Sequence, residues 1–369
     1  MSLSLSLYIH IPFCNSFCDY CDFYSVIAKN GKFDIFLDSI IADINYQIEY
    51  FKISKIKTVY IGGGTPSVLG KRITVLLDAL KKIPDFAPEE FTVEVNPESA
   101  TEEFLCACKE GGVNRLSLGV QTFHERSRRA VNRIGDAALP EKCLALAKRF
   151  FPDSLSVDLI TGFPYQNEKT VLNDIKRLLD FDPAHVSLYS LTVEKGTSLE
   201  QKITAKEIIP LENDFSDSLW LLCREELIKA GFWHYEISNF AKNKKVCRHN
   251  IRYWLMEGWI GAGPAASGTV INEENGTAKR FTYPSDIEAY NSSPFIKNAI
   301  CEELGTNILI RESLLMGYRY CEGPDKVLFK KRFGRNVEDC IPQTLEKWKN
   351  KDIMLFLNSF LFDAFDELD

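Results

Sequence analysis

The first half of the chain alternates runs of strand-forming residues with runs that have helical periodicity. Strands are predicted over residues 4–11, 58–61, 91–95, 114–118, 155–160 and 185–191. Helices are predicted between them over residues 32–51, 71–82, 101–109, 140–150 and 171–179. Repeated strand-then-helix units are typical of an α/β protein with a parallel sheet or barrel. Because a complete barrel needs eight units, about six units predict a partial (β/α)6 barrel.

The pattern loosens in the second half of the chain. A long helix is predicted over residues 213–230 and a strand over 233–237, but residues 242–268 show no clean period. Residues 303–369 are mostly helical in pattern. We therefore predict a core barrel over residues 1–235, a connecting segment over 236–295, and a smaller, mostly helical C-terminal domain over 296–369.

Composition excludes several classes of protein. Lysine and arginine number 44 against 51 aspartates and glutamates, a net charge of −7, whereas broad nucleic-acid binding needs a basic face. Apolar runs fall well short of the roughly 20 residues that span a bilayer. The first 11 residues lack the basic region of a signal peptide. We expect a folded cytoplasmic protein that binds no nucleic acid.

Polar residues gather at the ends of the predicted strands. The two-residue period places Tyr8 and His10 on one face of the first strand. The same period gives Glu94, Gln121 and Asp158 inward positions on later strands. Because parallel folds place their sites at the carboxyl ends of the strands, these groups should converge there.

Three cysteines crowd into eight residues just after the first strand, as Cys14, Cys18 and Cys21. The chain has 11 cysteines, an odd number unevenly spread, which argues against a disulfide framework. Three thiolates on one loop can hold a metal centre. A [4Fe–4S] cluster held by three cysteines leaves one iron open for a ligand. A zinc site, which would make the chain a zinc-stabilised binding module, needs a fourth ligand such as His10.

A glycine run, Gly62-Gly63-Gly64, follows the second predicted strand and precedes Thr65 and Pro66. Glycines there allow the backbone to approach a ligand and to present N–H groups to it. A tight turn from strand to helix also requires glycine, so both explanations remain open.

Together, the cysteine spacing and the GGGTP turn resemble the radical S-adenosylmethionine (SAM) superfamily. A wider set of strings resembles its HemN/HemW branch, from about residue 8 to about 268, and more faintly beyond. These strings are YIHIPFC at 8–14, EVNP at 94–97, NRLSLGVQ at 114–121, DLITGFP at 158–164, YEISNF at 235–240 and HNIRYW at 249–254.

The resemblance implies a set of ligand roles. Cys14, Cys18 and Cys21 would ligate three irons of a [4Fe–4S] cluster, and SAM would chelate the fourth. Tyr20 would help seat the adenine, and Tyr8 would approach the cluster or SAM from the first strand. The remaining implied SAM-binding residues are Gly63, Gly64, Thr65, Glu94, Gln121, Arg133 and Asp158.

Two functions occur in this branch: a haem chaperone, and an oxygen-independent coproporphyrinogen III oxidase that decarboxylates porphyrin propionates. The oxidase pattern adds a fourth cysteine two residues after the third, whereas Asp22 and Phe23 follow Cys21 here. The oxidase also carries an N-terminal arm, whereas this chain reaches Cys14 almost at once. With the intact HNxxYW motif, these features favour a HemW-type haem chaperone over the oxidase.

The HNxxYW motif implies a haem site. Neutral imidazole is a common axial ligand for haem iron, so His249 is the expected ligand, ahead of the thiol of Cys247. Tyr253 and Trp254 would offer flat faces to the porphyrin. A packing corner around a buried histidine is the alternative.

One part of the family's pattern is absent. The family usually has a histidine within the glycine-rich stretch that follows the motif, but residues 261–267 read GAGPAAS. The expected cofactors are a [4Fe–4S] cluster, SAM and haem. The expected partners are an electron donor and haem-acceptor proteins, with membrane contact only through a partner.

Overall fold

The structure is a computed structural model that describes residues 3–28 and 32–368. The strands are β1 (Leu3–Ile11), β2 (Phe13–Cys14), β3 (Val26–Ile27), β4 (Ile53–Gly63), β5 (Glu90–Val95), β6 (Arg115–Gln121), β7 (Leu155–Thr161), β8 (His185–Ser190), β9 (Trp233–Glu236), β10 (Asn239–Ala241), β11 (Trp259–Ala262), β12 (Ser267–Asn272), β13 (Thr277–Thr282) and β14 (Ile300–Leu304).

The α-helices are α1 (Lys32–Tyr50), α2 (Ile73–Lys81), α3 (Glu102–Glu110), α4 (Glu125–Ala130), α5 (Leu139–Phe150), α6 (Glu168–Leu179), α7 (Ser198–Thr204), α8 (Asn213–Lys229), α9 (Arg248–Trp254), α10 (Ile287–Ser292), α11 (Thr306–Gly317), α12 (Lys326–Phe333), α13 (Val337–Cys340), α14 (Pro342–Trp348) and α15 (Leu357–Leu368). Two 3-10 helices span Pro66–Arg72 and Ile296–Asn298. Among the helices described, none has both the length and the hydropathy needed to cross a bilayer.

Twelve strands form one open sheet, in the order β14-β13-β12-β11-β1-β4-β5-β6-β7-β8-β10-β9. The six strands from β1 to β8 within this order all pair in parallel. They confirm the predicted α/β class and the partial (β/α)6 barrel. β11 adds a parallel strand beside β1, while β10 and β9 continue the other edge in antiparallel pairing.

The barrel is held by one large hydrophobic cluster to which both strands and helices contribute. Leu7, Leu118 and Val157 are fully buried on the strands, and Phe36 and Leu76 are fully buried on α1 and α2. Each of these helices has a buried apolar side, as expected for a helix that covers a sheet. This packing fixes the strand ends at which the polar residues gather.

The region without a clean period is ordered by tertiary pairing. It contains α9, β11 and the first residues of β12, and β12, β13 and β14 then extend the sheet as antiparallel neighbours. The predicted helical C-terminal part therefore contributes one strand, β14, before its five helices. Those helices bury a cluster of their own, which includes Leu314, Trp348 and Phe360. The domain boundaries at 235 and 295 stay predictions.

Leu118→Ala should destabilise the barrel, because Leu118 is 0% exposed in the centre of β6. Loss of the side chain and the cavity left behind should lower the free energy of unfolding by roughly 2–5 kcal/mol. Urea unfolding would measure this. Leu221→Ala on α8 is the matched control, since Leu221 is 42% exposed. A Leu118 variant as stable as the control would contradict this placement of the core.

Candidate functional site

The carboxyl ends of the parallel strands open into a cavity of about 640 Å³. Its lining unites eleven of the fifteen residues that the sequence proposed as ligands. They are Cys14, Cys18, Tyr20, Cys21, Gly63, Gly64, Thr65, Glu94, Gln121, Arg133 and Asp158. Strand geometry explains the convergence, because neighbouring parallel strands end at one edge of the sheet.

The three cysteines form one wall of the cavity. Cys14 ends β2, a short strand that pairs with β3, and its Sγ lies 3.5 Å from Thr65 Oγ1. The Cys21 N–H donates to the carbonyl oxygen of Cys18 at 3.2 Å, which tightens the turn between them. Burial raises the pKa of the Cys14 thiol. A nearby positive charge would therefore favour the thiolate form of Cys14.

Arg133 supplies a positive charge beside this wall. It is buried, and its Nη1 lies 3.4 Å from Cys18 Sγ. Its Nη2 donates to Asn96 Oδ1 at 2.9 Å and to the Gly119 carbonyl at 2.5 Å. Asn96 in turn donates from Nδ2 to Thr65 Oγ1 at 2.8 Å. Arg133 is thus fixed at the cysteines by a network that also holds the glycine turn.

Two carboxyl groups face the same cavity. Glu94 Oε1 accepts from the Tyr60 hydroxyl at 2.7 Å, and Oε2 accepts from the Gly63 N–H at 3.1 Å. Burial raises the pKa of Glu94 to about 7. Asp158 accepts from Ser117 Oγ at 3.2 Å, and burial raises its pKa to about 6. The oxygens of both carboxyl groups have lone pairs that can accept a further hydrogen bond, for example from a hydroxyl of a ligand.

Unlike these carboxyl groups, two polar atoms of the site have no hydrogen-bond partner among the described residues. They are the Gln121 Oε1 and the Arg133 Nε, both buried. Gln121 also adopts a positive φ of 68°, unusual for a residue other than glycine or asparagine. Unpaired buried polar atoms are costly, so their presence on a cavity wall indicates a polar ligand.

The glycine run fits closely against the first strand. Gly63 has φ 109°, and a Cβ there would lie 2.6 Å from the ring of His10. The Gly64 N–H donates to the Ile11 carbonyl and the Thr65 N–H to the Phe13 carbonyl, each at 2.8 Å. With Gly63 bonded to Glu94, all three N–H groups are occupied. The residues line the cavity, but these three N–H groups are bonded within the protein, which favours the explanation that the glycines serve the tight turn.

Four proposed ligand residues lie outside the cavity lining: Tyr8, His249, Tyr253 and Trp254. The Tyr8 hydroxyl is 3.0 Å from His10 Nδ1. His249 is 0% exposed, with Nδ1 2.8 Å from Thr58 Oγ1 and Nε2 2.8 Å from the Tyr253 hydroxyl. Trp254 packs under the guanidinium of Arg319. In this arrangement His249 has no free nitrogen for iron.

His10, the proposed fourth zinc ligand, is engaged as well. Its Nδ1 contacts the Tyr8 hydroxyl, and its Nε2 lies 2.9 Å from the Tyr24 carbonyl. In the part of the chain that the structure covers, no three His, Cys, Asp or Glu side chains surround a point that could hold one ion.

Sequence reasoning missed Tyr60 and named Gly62 only as part of the glycine run, although both residues surround Glu94. A Cβ at Gly62 would lie 2.8 Å from Glu94 Oε2 and 2.9 Å from Tyr60 Cε1, so only glycine fits. The two-residue period does place Tyr60 and Gly62 on one face of β4. That face could have been recognised, but its contact with Glu94 depends on the pairing of β4 with β5.

Comparison with known proteins supports a common origin. The model of the radical SAM superfamily matches residues 8–178. "Heme chaperone HemW" of Lactococcus lactis subsp. lactis (strain IL1403) is 31% identical, covering 92% of this chain and 90% of its own. "Heme chaperone HemW" of Escherichia coli (strain K12) is 34% identical over 72% of this chain and 70% of its own.

A solved structure shares the fold. It is coproporphyrinogen III oxidase (HemN) from Escherichia coli, a radical SAM enzyme. It matches with a TM-score of 0.82 over 98% of this chain and 90% of that chain. The sequence identity is only 20%, so this likeness shows the fold alone.

Glu94→Gln should flatten the pH dependence of stability in the protein without cofactors. The pKa of Glu94 is about 7 when folded, against an ordinary value of 4.5. Between these values the folded state binds the extra proton, so the free energy of unfolding falls as pH rises. Removing this group should recover up to roughly 3 kcal/mol of that fall.

Urea unfolding at several pH values from 4.5 to 8 would measure this effect. Glu207→Gln, an exposed position, is the control and should keep the wild-type slope. Equal slopes in both variants would mean that Glu94 titrates as it does in water.

Proposed function

This chain belongs to the radical SAM superfamily, in its HemN/HemW branch, and from that premise we propose that it is a HemW-type haem chaperone that binds haem and carries a SAM-bound [4Fe–4S] cluster. The observation that carries the proposal is the single cavity in which three cysteines face two carboxyl groups and two unpaired polar atoms.

The cysteine wall fits a [4Fe–4S] cluster. Cys14, Cys18 and Cys21 would each ligate one iron, and the fourth iron would remain for SAM. The guanidinium of Arg133, 3.4 Å from Cys18 Sγ, offsets the negative charge of the thiolates. When bound, the cluster supplies an electron to SAM, while the protein holds and shields both.

The opposite wall fits SAM. Glu94 and Asp158 would accept hydrogen bonds from ligand hydroxyls, and Gln121 Oε1 would gain the partner that it lacks. Tyr20 packs against Phe163 with ring centroids 5.1 Å apart, which fixes its ring as a platform for the adenine. Thr65 is held by Asn96 at the end nearest Cys14.

Haem would bind at the mouth of the same cavity. Three aromatic side chains line it while staying open to solvent: Phe17 at 47%, Phe23 at 65% and Tyr189 at 41% exposure. Exposed aromatic rings beside a cavity are typical of a site for a large apolar ligand. Phe23 stands where the oxidase pattern has its fourth cysteine, which favours carriage of haem over decarboxylation.

The proposal includes two protein partners, an electron donor and a haem acceptor. Both would have to approach the cysteine loop, where Cys21 and Phe23 are exposed. A cytoplasmic location is part of the same proposal.

Anaerobic reconstitution with iron and sulfide should give about four irons per chain. Cys18→Ser should lose most of this iron, whereas Cys106→Ser, a cysteine on α3 outside the cavity, should retain it. Iron and sulfide analysis with optical spectra would measure the content. Equal iron in the two variants would overturn the cluster assignment.

Haem titration and a coproporphyrinogen turnover assay on the reconstituted protein separate chaperone from oxidase. We expect haem to bind and no propionate to be lost. The double variant Phe17→Ala and Phe23→Ala should weaken haem binding by roughly tenfold or more, because it removes two apolar faces. Phe362→Ala, 75% exposed on α15, is the matched control. Decarboxylation without specific haem binding would establish the oxidase instead.

Gly62→Ala should weaken SAM binding by roughly tenfold or more, because the new Cβ must displace Glu94 or Tyr60. Gly305→Ala is a suitable control, since a Cβ there meets nothing within 4 Å. Equilibrium binding of SAM to the two reconstituted variants would measure the difference. Unchanged affinity in the Gly62 variant would mean that Glu94 does not contact SAM.

A further inference from the structure

We propose that His249 is a positioning residue that holds Tyr60, and through Tyr60 the carboxylate of Glu94, and that it is not the axial ligand of haem. This inference rests on the proposed function for the identity of the ligand that Glu94 contacts. It assigns the HNxxYW motif to the support of the SAM site.

The first step is the burial and bonding of the imidazole. Its ring is 0% exposed, Nδ1 is bonded to Thr58 Oγ1 and Nε2 is bonded to the Tyr253 hydroxyl. Burial lowers the pKa of His249 to about 3, so the ring is neutral. A neutral imidazole has one donor and one acceptor nitrogen, and both are used here.

The second step is the anchoring of α9, on which the motif lies. Glu90 accepts the backbone N–H of His249 at 2.9 Å and that of Arg248 at 3.0 Å. Glu90 begins β5 and Glu94 lies four residues further along the same face of that strand. α9 therefore closes the amino-terminal end of the barrel, beneath the strand that carries Glu94 to the cavity.

The third step is the contact between the imidazole and Tyr60. Their ring centroids are 5.2 Å apart, and the Tyr60 ring also stacks on Tyr8, with centroids 6.3 Å apart. Two aromatic neighbours thus contact the Tyr60 ring. Its hydroxyl donates to Glu94 Oε1 at 2.7 Å, so the position of the ring sets the position of the carboxylate.

Axial ligation would require a different structure. Iron at either nitrogen of His249 would break one of two buried hydrogen bonds. At Nε2 it would take the partner of the buried Tyr253 hydroxyl, and at Nδ1 it would leave Thr58 only its bond to Ser6. The same contacts that support Glu94 therefore exclude the ring from haem.

SAM and haem affinities of reconstituted variants test this assignment. His249→Phe keeps a ring near Tyr60 but loses the two hydrogen bonds that fix the position of the imidazole against it. Tyr60→Phe loses the hydroxyl that holds Glu94. Each should weaken SAM binding by roughly tenfold, the loss expected for one hydrogen bond to a charged group. The double variant should bind SAM no more weakly than the single variants, because both act through one path. Haem affinity should stay at the wild-type value in all three.

Three further variants guard against misfolding. Tyr253→Phe preserves the packing and removes only the partner of Nε2, so it should weaken SAM binding by a smaller factor. His234→Phe replaces a buried histidine far from Tyr60 and should bind SAM normally. His249→Gln, which can hydrogen-bond again, should recover part of the SAM affinity lost in His249→Phe.

The outcomes are distinct. Loss of haem with unchanged SAM affinity in His249→Phe would overturn the inference and make His249 the haem ligand. Wild-type SAM affinity in both His249→Phe and Tyr253→Phe would also overturn it, while leaving the proposed function intact. Wild-type protein that binds no SAM would overturn the proposed function and this inference with it.

Discussion

The cost of burying charged groups inside the barrel is the constraint on which the rest of the structure depends. An isolated buried carboxylate or guanidinium is strongly unfavourable, so each needs a partner. Glu90 finds it in the N–H groups of α9, and Arg115 in the carbonyls of Lys245 and Val246. Both groups lie where β5 and β6 begin, and at this end of the barrel α9 and the segment before it provide their partners.

At the opposite end the pairing is incomplete. Glu94 and Asp158 have donors from the protein, but the Gln121 oxygen and the Arg133 Nε have none in the residues described. Arg115 Nη2 at the closed end also lacks a partner among the described residues, so the two ends differ in what covers them. One end is closed by the protein's own chain, and the other opens into the cavity. This contrast is also why the HNxxYW motif belongs with the support of the site: its histidine lies at the closed end.

Arg133 connects the charge of the cysteine loop to the rest of the cavity. It contacts Cys18, Asn96 and the Gly119 carbonyl, so one guanidinium links the loop after β1 to residues following β5 and within β6. Under the proposed function, the charge of a cluster bound to the three cysteines would act on Arg133. Arg133 is bonded to Asn96, which in turn is bonded to Thr65 of the glycine turn. The pKa values of Glu94 and Asp158 are raised because burial penalises the charged forms of their carboxyl groups.

The sequence by itself predicted the partial barrel, the cysteine loop and eleven of the residues that line the cavity. Most of these follow from local spacing: a strand-helix alternation, three cysteines within eight residues, and inward positions two residues apart. Tyr20 and Arg133 were predicted only from the resemblance to the family. Only the tertiary structure decided the surroundings of those residues. The N–H groups of Gly63, Gly64 and Thr65 donate to Glu94, Ile11 and Phe13, and β11 pairs with β1 about 250 residues earlier in the chain. His249 likewise lies against Thr58 and Tyr60, almost 200 residues before it, and no local pattern could show that its two nitrogens are already bonded.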